Sequence, residues 1–279
     1  LKANLKDKIA VVTGGGGVIG STFAKALAVE GVKVAILNRT LEKGQKVSDE
    51  IKRNGGESIA IQCDVLNEND VVRAKDEVIK NYGICDILIN CAGGTDPRAI
   101  TSKEFLEIND LTNHDIVTFF DLDIKNFEYV FNLNFLGTLI PIKVFAKEMA
   151  GQNGATIINI SSMSAYAPMT KVPAYSAAKA SINNFTQWLA VYLADAGIRV
   201  NAIAPGFLLT DQNKELLMNK DGTPTERLNK IIANTPMRRL GDPQELVGTL
   251  IWLCDEKMSG FVTGITVPVD GGFMAYSGV

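Results

Sequence analysis

The 279-residue chain is 46% hydrophobic, carries a formal charge of −3 and has a pI near 5.4. That is enough apolar content for a sizeable core, and it leaves no basic footprint for nucleic acid as a principal partner. By sequence no apolar run reaches the ~20 residues of a membrane span, and LKANLKDK at the amino terminus lacks a signal peptide's apolar core. No Pro/Ser-rich linker divides the chain, so one cytoplasmic domain over residues 1–279 is expected, with no membrane or nucleic-acid partner. Cys63, Cys85, Cys91 and Cys254 form no C-x-x-C pair and read as reduced, buried hydrophobes. His114, the single histidine, lies in a polar segment. A His-rich metal site is therefore excluded, no metal is expected, and acid–base chemistry falls to another residue type.

In chain order, short Val/Ile-rich runs alternate with longer amphipathic stretches. KIAVVTG precedes a helical pattern to about Glu30, KVAILN one to about Arg53, and SIAIQCD one to about Lys80. CDILINCAG, ATIINISS, IRVNAIAPG and ITVPVDGG continue the alternation. Near-continuous apolar strands separated by helices belong to a sheet covered on both faces, so the expected fold is α/β: a doubly wound Rossmann-type parallel sheet of about seven strands. Ligands bind such sheets where the carboxyl ends of the strands meet the following loops. TGGGGVIG, NRT, CDV, NCAGG, ISS and APG are thereby gathered at one crevice. Two segments interrupt the rhythm: residues 95–123, polar and acidic, ahead of a helix around Phe127 to Met149, and residues 207–235, after Pro205-Gly206. Both are expected to be lids over the crevice.

TGGGGVIG follows a strand and opens a helix. Gly15, Gly17 and Gly20 fit G-x-G-x-x-G, in which glycine permits a tight turn and lets backbone N–H groups reach a pyrophosphate at the helix's positive end. The second strand ends in Asn38-Arg39, where an acidic residue would grip the ribose 2′-hydroxyl of NAD. A guanidinium there suits a 2′-phosphate, so NADP(H) is expected to be favoured, with NAD(H) as the alternative. In PAYSAAK, Tyr175 stands four residues before Lys179, on one face of a helix. A free tyrosine titrates near about pH 10, and a neighbouring cation is expected to lower that value and make the phenol a usable proton donor and acceptor. Ser162 ends the apolar run TIINISS upstream.

From TGGGGVIG through NCAGG, ISS, YSAAK and APGFLLT to VDGG, the sequence resembles the short-chain dehydrogenase/reductase family, with the motifs in order. The family's T-G-x-x-x-G-x-G would put glycine at position 18, where this sequence has Val18. The resemblance implies a catalytic tetrad: Tyr175 as acid and base, Lys179 as its partner and ribose ligand, Ser162 polarising the substrate carbonyl, and Asn134 organising a relay water. It further implies cofactor contacts from Gly14, Gly15, Gly16, Gly17, Val18, Ile19, Asn38 and Arg39, with Asp64 and Val65 at the adenine. Asn90, Ala92 and Gly93 are implied at the adenine ribose, and Pro205, Gly206, Leu208 and Thr210 at the nicotinamide. Cys91, where the family often has a second Asn, is expected to pack. Residues 126–149 and 176–194 carry Phe185, Trp188, Leu189 and Tyr192 beyond the needs of one sheet-facing stripe. The resemblance implies that these two helices pair across a two-fold axis in a homotetramer.

FFDLDIKNFEYVFNLNFLGTLIPIKVFAKEM, NFTQWLAVYLADAGIRVNAIAPGFLLTDQN and GGFMAYSGV resemble that family's D-mannonate oxidoreductase (fructuronate reductase) branch, which interconverts D-fructuronate and D-mannonate. A sugar acid calls for a cation and a fan of hydrogen-bond partners. Arg98, Lys171, Gln212 and Asn213 are of suitable type at the crevice mouth. A gluconate-type ketoacid reductase and a 3-oxoacyl-carrier-protein reductase are alternatives. Glu104, Glu107, Asp110 and Asp115 of the first lid weigh against an acidic carrier protein. A non-catalytic NADP-binding regulatory protein is the alternative of a different class, opposed by the complete tetrad. A P-loop is excluded, because no Gly-Lys-Ser/Thr follows the glycines.

Overall fold

The first apolar run, Ile9–Thr13 (β1), is buried along its whole length and lies at the centre of a seven-stranded sheet in the computed structural model, which describes residues 3–210, 217–219 and 221–278. The chain continues through Val18–Val29 (α1), Lys33–Asn38 (β2), Leu41–Arg53 (α2), Ser58–Gln62 (β3), Glu68–Asn81 (α3) and Ile87–Asn90 (β4). Ile124–Met149 (α4), Ala155–Ile160 (β5), Pro173–Tyr192 (α5), Ile198–Pro205 (β6) and Thr266–Val269 (β7) complete the pattern. The strand order is β3-β2-β1-β4-β5-β6-β7, with every pair parallel.

Two apolar cores lie on opposite faces of the sheet. One joins Val12, Ile36 and Ile89 to Phe23 and Leu27 of α1 and to Leu250 and Leu253 of the helix Val247–Cys254. The other joins Val11, Leu37 and Leu88 to Val71 and Val78 of α3 and to Phe145 and Met149 of α4. At 26 residues α4 is long and apolar enough to cross a membrane, contrary to the expectation that no segment reaches that length. Its apolar character is used inside the protein, where it packs against α3, α5 and β4.

The segment 95–123 departs from its polar reading. Asp110 turns inward as a cap: it is 5% exposed and accepts from the Glu107 amide at 3.0 Å and from Lys103 Nζ at 2.7 Å. Asp121 accepts from the Thr118 amide at 2.9 Å. Three short 3-10 turns, Pro97–Ala99, Ile108–Thr112 and Phe119–Asp121, are ordered this way. Phe105, Ile108 and Phe120 are left facing outward, 79%, 81% and 70% exposed. In the second excursion Leu228 and Ile231 of the helix Glu226–Asn234 pack with Leu217 and Phe207, and Lys230 meets Glu104 of the first excursion at 3.5 Å.

Phe145 is 1% exposed and fixes α4 against the sheet. Phe145→Ala is expected to cost about 3–5 kcal/mol, since it removes buried apolar area and leaves a cavity. Chemical denaturation monitored by far-UV circular dichroism measures this, and a loss under about 1 kcal/mol would contradict the packing described.

Candidate active site

Strand order reverses beside β1, which pairs with β2 on one side and β4 on the other. The loops leaving β1 and β4 diverge there, and a crevice of about 1020 Å³ opens at the carboxyl ends of the strands. The glycine loop forms one wall. Gly14 has φ +62°, and a Cβ on it would lie 2.8 Å from the Ala92 Cα, so the loop after β4 closes against it only because the side chain is absent. Gly15 backs onto Ile36 instead of facing the crevice. The Gly16 amide donates to Asn38 Oδ1 at 3.2 Å, tying the loop to the end of β2. Gly17 is the N-cap of α1 and brings no side-chain cap, so the helix's first N–H groups and its positive dipole end face the crevice. Val18, where the family pattern has glycine, starts α1, and its carbonyl accepts from Ser21 and Thr22 at 3.0 Å each. These features fit an anionic diphosphate.

At the far end of the crevice, Arg39 Nη1 donates to Tyr129 Oη at 3.2 Å, and this bond with the neighbouring phenol raises the guanidinium's already high pKa. Asp64, Val65 and Thr40 line the same region with Lys43 and Lys46 of α2. Sequence reasoning missed these lysines and Tyr129. The first turn of the helix after Arg39 was the available signal for the lysines, whereas Tyr129 is 90 residues away from Arg39 along the sequence. Thr13 was also missed: its Oγ1 accepts the amides of Cys91 and Ala92 at 3.1 and 3.2 Å and so sets the loop after β4. Ala92, Gly93, Pro205, Gly206, Leu208 and Thr210 line the crevice as expected. Asn90 does not. Its side chain turns beneath the sheet, where Nδ2 donates to Asn159 Oδ1 at 3.0 Å and only 1% of the residue is exposed. Cys91 lines the crevice with its thiol pushed up to about 12 by burial, which suits packing and not nucleophilic chemistry.

Ser162, Tyr175 and Lys179 converge on the central wall. The first follows the end of β5 and the other two occupy the first turns of α5, so strand and helix bring together groups that are 13 and 17 residues apart (175 − 162 and 179 − 162). The Ser162 hydroxyl accepts the Ser164 amide at 3.1 Å and lies near enough to the phenol to pull its pKa down. Lys179 Nζ lies 5.5 Å from the Tyr175 ring centroid and donates to the Ile160 carbonyl at 2.8 Å. The expected lowering of the phenol's pKa is not what this arrangement gives. Burial raises it and outweighs the neighbouring Ser162 hydroxyl, which pulls it down. The Lys179 ammonium is itself pushed down to about 8 by burial, so it stays mostly charged at neutral pH and loses its proton only above that.

Asn134 is fully buried, and its amide serves the backbone: Nδ2 donates to the carbonyls of Gly94 and Val130, each at 2.8 Å, while Oδ1 accepts the Gly94 amide at 3.2 Å. Its side chain fixes the loop after β4, and a relay water would have to share Oδ1. Arg98 and Lys171 do not line the crevice. The Arg98 guanidinium is held by Asp96 through two contacts of 3.0 and 2.7 Å and stays largely in solvent. Lys171 takes a left-handed backbone, φ +72°, and its carbonyl accepts the Thr101 amide at 3.1 Å, anchoring the first excursion. Gln212 and Asn213 lie outside the described residues. Phe207 and Leu133, not anticipated, line the crevice instead.

A protein with this sheet and this Ser–Tyr–Lys arrangement has relatives. The chain is similar along its whole length to an uncharacterized oxidoreductase of Bacillus subtilis, 58% identical over 279 residues that cover 100% of this chain and 99% of that one. A solved structure from Haemophilus influenzae, provisionally named a D-mannonate oxidoreductase and holding NAD, matches with a TM-score of 0.96 at 52% identity, over 99% of this chain and 98% of its own length. The 7alpha-hydroxysteroid dehydrogenase of Escherichia coli is 31% identical over 268 residues, 96% of this chain and 94% of that one. The sequence pattern of the short-chain dehydrogenases matches residues 8–221. With whole-length relatives, the matching pattern and the fold in agreement, the protein belongs to the short-chain dehydrogenase family and is an oxidoreductase of the NAD(P)-binding kind.

Proposed function

We propose that the protein interconverts a sugar-acid alcohol and its ketone, most specifically D-mannonate and D-fructuronate. The observation that carries the reaction class is the convergence of Ser162, Tyr175 and Lys179 beside a crevice that begins at an uncapped helix N-terminus. The sugar acid is supported by the 52% identity to the structure provisionally named a D-mannonate oxidoreductase. Relatives with other names are more distant: a 3-oxoacyl-carrier-protein reductase of Synechocystis at 32% and a structure from Agrobacterium tumefaciens provisionally named a gluconate dehydrogenase at 28%.

A bound nicotinamide cofactor supplies or accepts the hydride at the carbonyl carbon. In the reducing direction Tyr175 gives its phenolic proton to the developing alkoxide, and the Ser162 hydroxyl donates a hydrogen bond to the same oxygen. Lys179 stabilises the phenolate left behind and is a ligand for the cofactor ribose. Its bond to the Ile160 carbonyl fixes the ammonium beneath the ring. The raised phenol pKa favours the protonated form that reduction needs, and oxidation requires the phenolate. The second excursion reaches the crevice through Phe207, Leu208 and Thr210, and Glu104 of the first excursion is tied to it by Lys230.

We infer a preference for NADP(H), with NAD(H) also accepted. Arg39 occupies the end of β2 where an acid would repel a 2′-phosphate. Its partner Tyr129 is a neutral phenol, which orients the guanidinium without cancelling its charge. Lys43 and Lys46 add positive charge nearby. The 52%-identical structure holds NAD, a finding about that protein that keeps NAD(H) as the competing cofactor.

We also infer a homotetramer that uses the outer faces of α4 and α5. Phe135, Phe185, Trp188 and Tyr192 form a row with ring centroids 5.5, 6.2 and 4.8 Å apart, and Trp188 and Tyr192 are 56% and 69% exposed. An aromatic row so exposed belongs to an interface more naturally than to solvent.

Three measurements test this reading. D-mannonate oxidation is expected with NADP and NAD, and to exceed that of D-gluconate; inert mannonate beside an active gluconate or acetoacetyl thioester would remove the substrate assignment. Tyr175→Phe is expected to lower kcat by about 10²–10⁴-fold while leaving the cofactor Kd within roughly twofold, because it removes the transferable proton and little contact area. A Phe variant with most of its turnover intact would exclude Tyr175 as the acid. Arg39→Ala is expected to reduce kcat/KM for NADPH about tenfold or more with a smaller change for NADH. Higher kcat/KM for NADH in the parent enzyme would reverse the cofactor preference.

A further inference from the structure

The first excursion presents a surface that a lone protomer has no use for. Phe105, Ile108, Leu111, Phe119, Phe120 and Ile124 are 79%, 81%, 52%, 63%, 70% and 69% exposed. At ~150–250 Å² for each fully exposed aromatic and somewhat less for each aliphatic side chain, these six present on the order of 800 Å² of apolar surface. Phe119 and Phe120 meet edge to face with ring centroids 5.7 Å apart, and the total compares with the about 800 Å² that one partner contributes to a standard interface. The segment is not loose: Asp110 and Asp121 cap its turns, Ser102 and Val117 exchange hydrogen bonds of 2.8 and 2.9 Å, and the Thr101 amide is held by Lys171 just before α5. A well-ordered backbone thus holds these side chains out toward solvent.

The patch also has a direction. Ile124 is the first residue of α4, and Ile124, Phe131 and Phe135, at i, i+7 and i+11, share one face of that helix. Phe131 lies 5.9 Å from Phe135, which begins the row through Phe185 and Trp188 to Tyr192. The excursion rests on the amino-terminal ends of both α4 and α5, so its apolar face continues the aromatic face of those helices.

We propose that the face of the first excursion is covered by a second copy of this chain, which thereby steadies, through Glu104 and Lys230, the second excursion whose Phe207, Leu208 and Thr210 line the crevice. The proposal rests on the α4–α5 assembly inferred above and extends it from the helices to the excursion. A subunit packed on Phe119 and Phe120 holds from outside a segment whose other side meets Lys230 through Glu104 and α5 through Lys171. Assembly is then linked to substrate affinity, while the cofactor end, walled by α1 and α2, is independent of it.

The test is sedimentation velocity across a dilution series, with steady-state kinetics, on four proteins: the parent protein, Trp188→Glu on the helix face, Phe119→Ser/Phe120→Ser, and Phe105→Ser/Ile108→Ser. The last pair guards against misfolding, since those side chains are mostly exposed and have little packing of their own to lose. Both excursion variants are expected to raise the dissociation constant of the assembly at least about tenfold and to raise KM for the hydroxy acid, with the cofactor Kd unchanged. If Trp188→Glu dissociates the protein and neither excursion variant shifts the assembly, the proposal falls and the helix-face assembly stands. A parent protein that is monomeric at micromolar concentration overturns both. Co-sedimentation of the parent protein with phosphatidylcholine/phosphatidylglycerol vesicles, lost in the excursion variants, would give the face to a lipid surface and overturn the proposal. Hydrogen-exchange protection of residues 105–120 that appears only with substrate, at unchanged mass, would assign the face to closure over the protomer's own crevice, with the same consequence.

Discussion

The parallel pairing of β1 with β2 on one side and β4 on the other governs what the molecule can do. Parallel strands need crossover connections, and right-handed crossovers that begin at a central strand and run outward both ways must leave the loops after β1 and β4 diverging. The crevice is the gap between those loops, lined at their base by Gly14, Ala92 and Gly93. Close packing at that gap explains the glycines better than flexibility does. A side chain on Gly14 would strike the backbone of Ala92, and one on Gly93 would reach within 2.6 Å of Asn134 Oδ1. The sheet's order and the loop's composition are thus one constraint seen at two scales.

The reactive wall is costly in the same low-dielectric surroundings that make it useful. Lys179 is 5% exposed, and its ammonium donates to a neutral carbonyl, which brings no compensating negative charge. Its burial therefore lowers its own proton affinity as well as sharpening its influence on Tyr175. The phenol experiences the same desolvation with opposite effect on its pKa, because its charged form is the deprotonated one. In the oxidising direction, the cost of ionising Tyr175 is met by an ammonium 5.5 Å from the ring centroid and by the neighbouring Ser162 hydroxyl. A sequence shows that these side chains are near one another. Which direction burial pushes each of them is a property of the packed site.

What was legible in the sequence follows from the range of the interactions involved. The inner strands were readable because a sheet buried on both faces writes continuous apolar runs, as in Ile9–Thr13 and Ile87–Asn90, while the edge strands Ser58–Gln62 and Thr266–Val269 are only partly buried. Tyr175 and Lys179 were readable because i,i+4 spacing fixes their side of the helix locally. Asn90 was misplaced because its partner, Asn159, is 69 residues away on β5, and only the β4–β5 register brings the two amides together beneath the sheet. Arg98 has the charge a carboxylate would need, but Asp96, two residues earlier, captures its guanidinium through both carboxylate oxygens. Lys43, Lys46 and Tyr129 join Arg39 at the adenosine end through tertiary placement that no local motif announces.

The first excursion shows how composition misleads when residue type is read without direction. Its acids made it look like a solvated lid, yet Asp110 and Asp121 serve the backbone. A short turn without regular hydrogen-bonded neighbours must satisfy its own amides, and a carboxylate reaching back to the N-cap does that within three residues. Only Asp110 of these acids is buried, and Phe105, Ile108, Phe119 and Phe120 stand outside it. Apolar side chains held out in water are a standing cost, which the second copy proposed above would remove. Two of its carboxylates thus describe how the excursion is folded, and its exposed phenylalanines are what the proposed second copy would meet.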